Sequence, residues 1–145
     1  MFKVTPDLSV SLGVVDFKSL PREVSLKLIA NFTKDEVKQA VCQCEGSKSP
    51  GPDGFNFNFI KNNWDILKDI MDVVLCFQES GCIPKGCNAS FITLVPKVKD
   101  PNTLDQFRPI SLVGALYKII TKALSCRMKD VLPLVIDENQ LVFLK

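Results

Sequence analysis

The chain has 145 residues, 46% of them hydrophobic and 23% charged, with a formal net charge of +2. That is enough apolar material for one core, and the absence of low-complexity runs and of any apolar stretch of about 18 residues argues against a disordered, fibrous or membrane-spanning chain. Histidine is absent, so no Ser-His or Cys-His nucleophile and no imidazole-held zinc can be assembled from these residues.

The six cysteines, Cys42, Cys44, Cys76, Cys82, Cys87 and Cys126, lack the paired short spacings of a four-cysteine zinc site. They read as reduced thiols, with no metal expected. Residues 1–15 carry one cation, and Thr5-Pro6-Asp7 interrupts any signal-peptide core, so the expected location is intracellular, cytoplasmic or nuclear. Charge is unevenly spread: from Gly81 to Lys129 eight cations face only Asp100 and Asp105, a local charge of +6 that leaves −4 for the remainder. A basic middle segment suits phosphate contact, although a solvated helix face has the same composition.

Residues 1–31 form a poorly determined N-terminal segment, with a short helix expected from Pro21 to Ala30; residues 32–145 are expected to form the main unit. Thr33 with Glu36 spells a capping box, and Phe32 with Val37 can staple it, so a helix over Lys34–Cys44 should bury Val37, Ala40, Val41 and Cys44. Glu45–Gly54 holds two prolines and three glycines and reads as a structured loop. Trp64, Leu67, Ile70, Met71, Val74 and Phe77 recur at helical spacing, which predicts one helix over Asn58–Glu79 ended by Gly81, with Asp65, Asp69 and Asp72 on one face.

Phe91–Val95 and Pro109–Leu112 are candidate strands that could pair. From Leu116, the positions Ile119, Ile120, Ala123, Leu124, Met128, Val131 and Leu132 describe an amphipathic helix closed by Pro133, with Lys118, Lys122 and Lys129 off its apolar stripe. The fold class is therefore α+β: a helix-rich N-terminal part, a short antiparallel strand pair and a C-terminal amphipathic helix.

Two features bear on chemistry. Lys48-Ser49-Pro50-Gly51-Pro52-Asp53-Gly54 alternates rigid Pro with permissive Gly, without the glycine spacing of a Walker loop; Asp53 can bond the turn's own amides. Lys97 follows one predicted strand and Arg108 precedes the next, so a hairpin would bring both to one end. There they are either solvated loop cations or a clamp for phosphate oxygens.

These motifs, with Leu94-Val95-Pro96-Lys97 and Arg108-Pro109-Ile110-Ser111-Leu112 in the same order, resemble the front end of the reverse transcriptase domain of LINE-type, non-LTR retrotransposons. Phe32-Thr33, Glu36-Val37, Trp64, Pro84, Asn88, Tyr117-Lys118, Lys122, Arg127 and Gln140 fit the same pattern, from about Asp16 to Lys145. The resemblance implies the fingers region of a right-hand polymerase, with Lys97 and Arg108 on the triphosphate of a deoxynucleotide. Lys48, Ser49, Lys118 and Lys122 would lie near the backbone of the RNA template or DNA primer. The family's catalytic Asp motifs are not among these residues, so the expectation is an incomplete fingers region, palm missing, inactive alone, with Mg²⁺ required only by the complete polymerase. An uncovered apolar patch is expected around the last helix and Gln140–Leu144. A non-catalytic nucleic-acid-binding module and the remnant of a decayed element are the alternatives.

Overall fold

The computed structural model describes residues 18–65 and 69–136. Helices α1 (Arg22–Ile29), α2 (Lys34–Gln43), α3 (Phe57–Asn62) and α4 (Asp69–Ser80) precede strands β1 (Ser90–Pro96) and β2 (Phe107–Val113), and α5 (Ala115–Val135) follows. This is the expected α+β layout. Gln140–Leu144 lies outside the described residues.

The capping box forms as its sequence dictates: Glu36 N donates to Thr33 Oγ1 at 3.2 Å, and Thr33 N donates to the Glu36 carboxylate at 2.8 Å. Two orphan donors at the start of α2 are thereby satisfied. Val37, Ala40 and Val41 are buried, and Cys44 caps the helix half-buried. They pack on Ala115, Ile119, Ile120 and Ala123 of α5, with Phe57, Ile60, Trp64, Ile70 and Val74 completing the core.

The single helix expected over Asn58–Glu79 is instead two. Asn56 caps α3, its side chain accepting from Phe59 N at 2.9 Å, and α3 ends at Asn62. Asn63 caps its C-terminus, with Asn63 N and Asn63 Nδ2 both donating to the Phe59 carbonyl. Asp65 consequently lies in the turn after α3, and only Asp69 and Asp72 share the first turn of α4. A second correction concerns Pro133. It sits inside α5, which runs on to Val135, because a proline in the last turn forfeits only one helical hydrogen bond.

Arg127 ties the N-terminal helices to α5. Its guanidinium donates to Glu36 Oε1 at 2.8 Å and Oε2 at 3.0 Å, and to the carbonyls of Leu28, Ala30 and Asn31 at 3.1, 2.6 and 3.1 Å. It also stacks 3.8 Å from the Phe32 ring centroid. Gln78 of α4 braces the same linker, accepting from Phe32 N at 2.9 Å and donating to the Ala30 carbonyl at 2.7 Å.

The strands pair antiparallel with Phe91 opposite Leu112, Thr93 opposite Ile110 and Val95 opposite Arg108. Every β1 residue is exposed, so the hairpin projects from the helical body with Phe91, Ile92, Leu94 and Ile110 uncovered.

Two outcomes are expected from the pair: Arg127→Ala should cost about 1–3 kcal/mol in urea unfolding, because it removes the charged partner of a part-exposed carboxylate and the donors to three carbonyls, whereas Arg127→Lys, without the planar fork, should fall between. The Arg127 hydrogen bond, aided by Thr33 and opposed by partial burial, lowers Glu36 from 4.5 to about 2. A folded-state value below the unfolded one adds stability that is complete above about 4.5 and lost as pH falls through about 2. Glu36→Gln should flatten that stretch of the stability–pH curve; an unchanged curve would contradict the pairing.

Candidate nucleic-acid interface

The sequence-derived cations fall into two separate groups. Antiparallel pairing puts Val95 and Arg108 opposite each other, and Lys97 N donates to the Gln106 carbonyl at 2.7 Å, so the pairing continues one step past β1. Lys97 and Arg108 are therefore diagonal neighbours on one face at the outer end of the hairpin. Both are exposed, and Lys97 Nζ leans onto the Asp105 carbonyl at 2.7 Å.

The second group lies at the hairpin's base. A groove of about 590 Å³ is lined by Gln43, Cys44 and Glu45 at the end of α2, by Lys48 and Phe57, and by Lys118, Thr121, Lys122 and Ser125 of α5. Three of the four residues assigned to strand backbone thus converge, and the fourth, Ser49, offers its carbonyl to Lys118 Nζ at 3.5 Å. Arg108 lies six residues up β2 from Gly114, about 20 Å along an extended strand, so the two cation groups are well apart.

Within the groove, Lys48 pairs with Glu45 at 3.2 Å, both side chains more than half exposed. Such a pair is worth little in water and can open toward a stronger anion. Burial pushes the Cys44 thiol up against the pull of Lys122, Lys61 and Lys118, so the sulfur adds no negative charge to the floor. Thr121 and Ser125 lie beside the two lysines; the Thr121 hydroxyl donates to the Tyr117 carbonyl at 2.9 Å, which leaves Ser125 to offer a hydroxyl proton to the groove. Their spacing with Lys118 and Lys122 is a polar stripe that the sequence carried openly, whereas Lys61, which donates to the Cys44 carbonyl at 2.6 Å, gave no such signal. Arg127, counted among the basic segment's cations, is consumed internally by Glu36.

The glycine–proline loop turns out to seat the β2–α5 junction. Gly51 is buried, and a Cβ there would come within 2.6 Å of Gly114 N and closer still to the Val113 carbonyl. Asp53 Oδ1 accepts from Phe55 N at 3.3 Å, the turn bond expected from sequence, while Oδ2 accepts from Ala115 N.

Among the described residues no three Asp, Glu or Cys side chains gather as a metal-binding group. Nor is any described helix long and apolar enough to cross a membrane.

No protein-family model matches the chain. Over 115 residues, 79% of its length, it is 36% identical to an uncharacterized 149 kDa protein of transposon TX1 from Xenopus laevis. Over 132 residues, 85% of its length, it is 30% identical to the RNA-directed DNA polymerase of the mobile element jockey from Drosophila melanogaster. The Pol polyprotein of the type-1 retrotransposable element R1 from Bradysia coprophila matches at 28% over 76% of the chain. The chain belongs to the family of LINE-type, non-LTR retrotransposon proteins. It spans 9%, 14% and 12% of the lengths of these three relatives.

Gly51→Ala should destabilise the protein by about 1–3 kcal/mol, since the clash is with backbone and cannot be relieved by a rotamer change. A melting temperature equal to wild type would contradict the close approach.

Proposed function

We propose that this chain is the fingers portion of a retrotransposon reverse transcriptase, which grips nucleotide and strand and performs no polymerisation alone. The observation that carries the reading is the convergence of Lys48 with Lys118 and Lys122, 70 and 74 residues further along the sequence, in one groove with Ser125. Ammonium groups gathered beside the Ser125 hydroxyl suit the phosphates of a single strand, RNA template or DNA primer, without reading its bases. Lys97 and Arg108 at the hairpin end take the triphosphate of the incoming deoxynucleotide: the arginine offers a fixed fork to two oxygens and the lysine a mobile charge. In the complete polymerase Mg²⁺, held by carboxylates other than those described here, would supply the activation of the primer hydroxyl. This chain's share is to bind and orient.

Anisotropy titrations with a short single-stranded RNA and with a labelled deoxynucleoside triphosphate separate the two groups. The triple variant Lys48→Ala, Lys118→Ala, Lys122→Ala should weaken RNA binding at least about tenfold and reduce the salt slope by roughly 2, from three lost phosphate contacts. Lys97→Ala with Arg108→Ala should act on the triphosphate. Equal losses of both ligands from either set would overturn the division of labour. Primer extension by the 145 residues would overturn the inactivity.

A further inference from the structure

We infer that Asp53 is a positioning residue that holds the β2–α5 junction and Lys48 together, and so assembles the cationic groove; the inference rests on the strand-binding reading above. The N-cap of α5 is Gly114, which has no side chain with which to cap. Asp53 supplies an acceptor from 62 residues away by taking Ala115 N, the first of the orphan N–H groups at the start of α5. Its other oxygen holds the loop's own turn through Phe55 N. Gly114 suits the arrangement because a Cβ there would press on Asp53 Oδ2 at 3.0 Å, and Gly51 suits it because the loop backbone lies directly on Val113 and Gly114.

Two groove lysines are attached to the two sides of this latch. Lys118 begins one turn into α5, where its N donates to the Gly114 carbonyl at 3.3 Å and its Nζ reaches Ser49. Lys48 precedes Asp53 by five residues in the same loop. Releasing Asp53 would let Lys48 drift from Lys118 and Lys122 while leaving every groove side chain intact.

Capping and latching can be separated by substitution. Asp53→Ala should lower RNA affinity and cut the salt slope by about 0.7, as Lys48→Ala does, and combining the two should cost no more than either alone. Asp53→Asn keeps one acceptor oxygen for two N–H donors, so it should restore only part of the loss. Asp53→Ala with Gly114→Ser gives α5 a cap of its own and removes the crowding at that Cβ; it should recover helix stability but not RNA affinity. Hydrogen exchange over residues 48–54 and 114–118 reads the latch whether or not the groove binds RNA, so the two readings can fail separately. In Asp53→Ala both segments should exchange faster, and with Gly114→Ser added only 114–118 should slow again. Additive losses from Asp53→Ala and Lys48→Ala, or recovery of RNA affinity by the Gly114→Ser background, would show a helix cap and nothing more.

Discussion

A single guanidinium fixes how the helices of this protein meet. Arg127 rises from the middle of α5 and spends its donors on the Glu36 carboxylate and on three carbonyls of the segment joining α1 to α2, with its flat face on Phe32. Because the fork is rigid and nearly all its donors are satisfied, the start of α2 is held against α5 in one orientation. In that arrangement Val37, Ala40 and Val41 share one buried core with Ile119, Ile120 and Ala123. The groove at the far end of α2 depends on the same placement: Gln43 and Cys44 form one wall and Lys118, Lys122 and Ser125 the other.

The hairpin is organised by a different rule. Its two strands satisfy each other's backbones, yet large apolar side chains stay in water on both faces, Phe91 and Ile110 on one and Ile92 and Leu94 on the other. α5 likewise leaves Leu124 and Met128 exposed beside a second, apolar groove with Leu132 and Pro133. The described part of the apolar patch expected around the last helix is therefore present.

Much of this was legible because it is local. The capping box at Thr33 and Glu36, the strands around Phe91–Val95 and Pro109–Leu112, and the apolar stripe of α5 all rest on residues within a few positions of one another. The break between α3 and α4 was hidden because Trp64, Ile70 and Val74 keep helical spacing across it, with neither Gly nor Pro to mark the turn. One side-chain bond, from Asn63 Nδ2 to the Phe59 carbonyl, accompanies the end of α3. Long-range partners were invisible for another reason: Arg127 with Glu36 spans 91 residues and Asp53 with Ala115 spans 62. Nothing in a local pattern says whether a cation will meet solvent, phosphate or a carboxylate. The sequence order of Lys97 and Arg108 did foretell one shared hairpin end, since pairing geometry alone decides it.

Crosslinking distinguishes the hairpin cations from the groove cations by the ligand each set holds. Photoreactive single-stranded RNA and a photoreactive deoxynucleoside triphosphate would each be bound to the intact chain, irradiated, and the attachment sites read by mass spectrometry. RNA should attach to peptides carrying Gln43–Lys48 and Lys118–Ser125, and the triphosphate to those carrying Lys97 and Arg108. Attachment of both ligands to one group, or of RNA to surfaces outside the groove, would contradict that division.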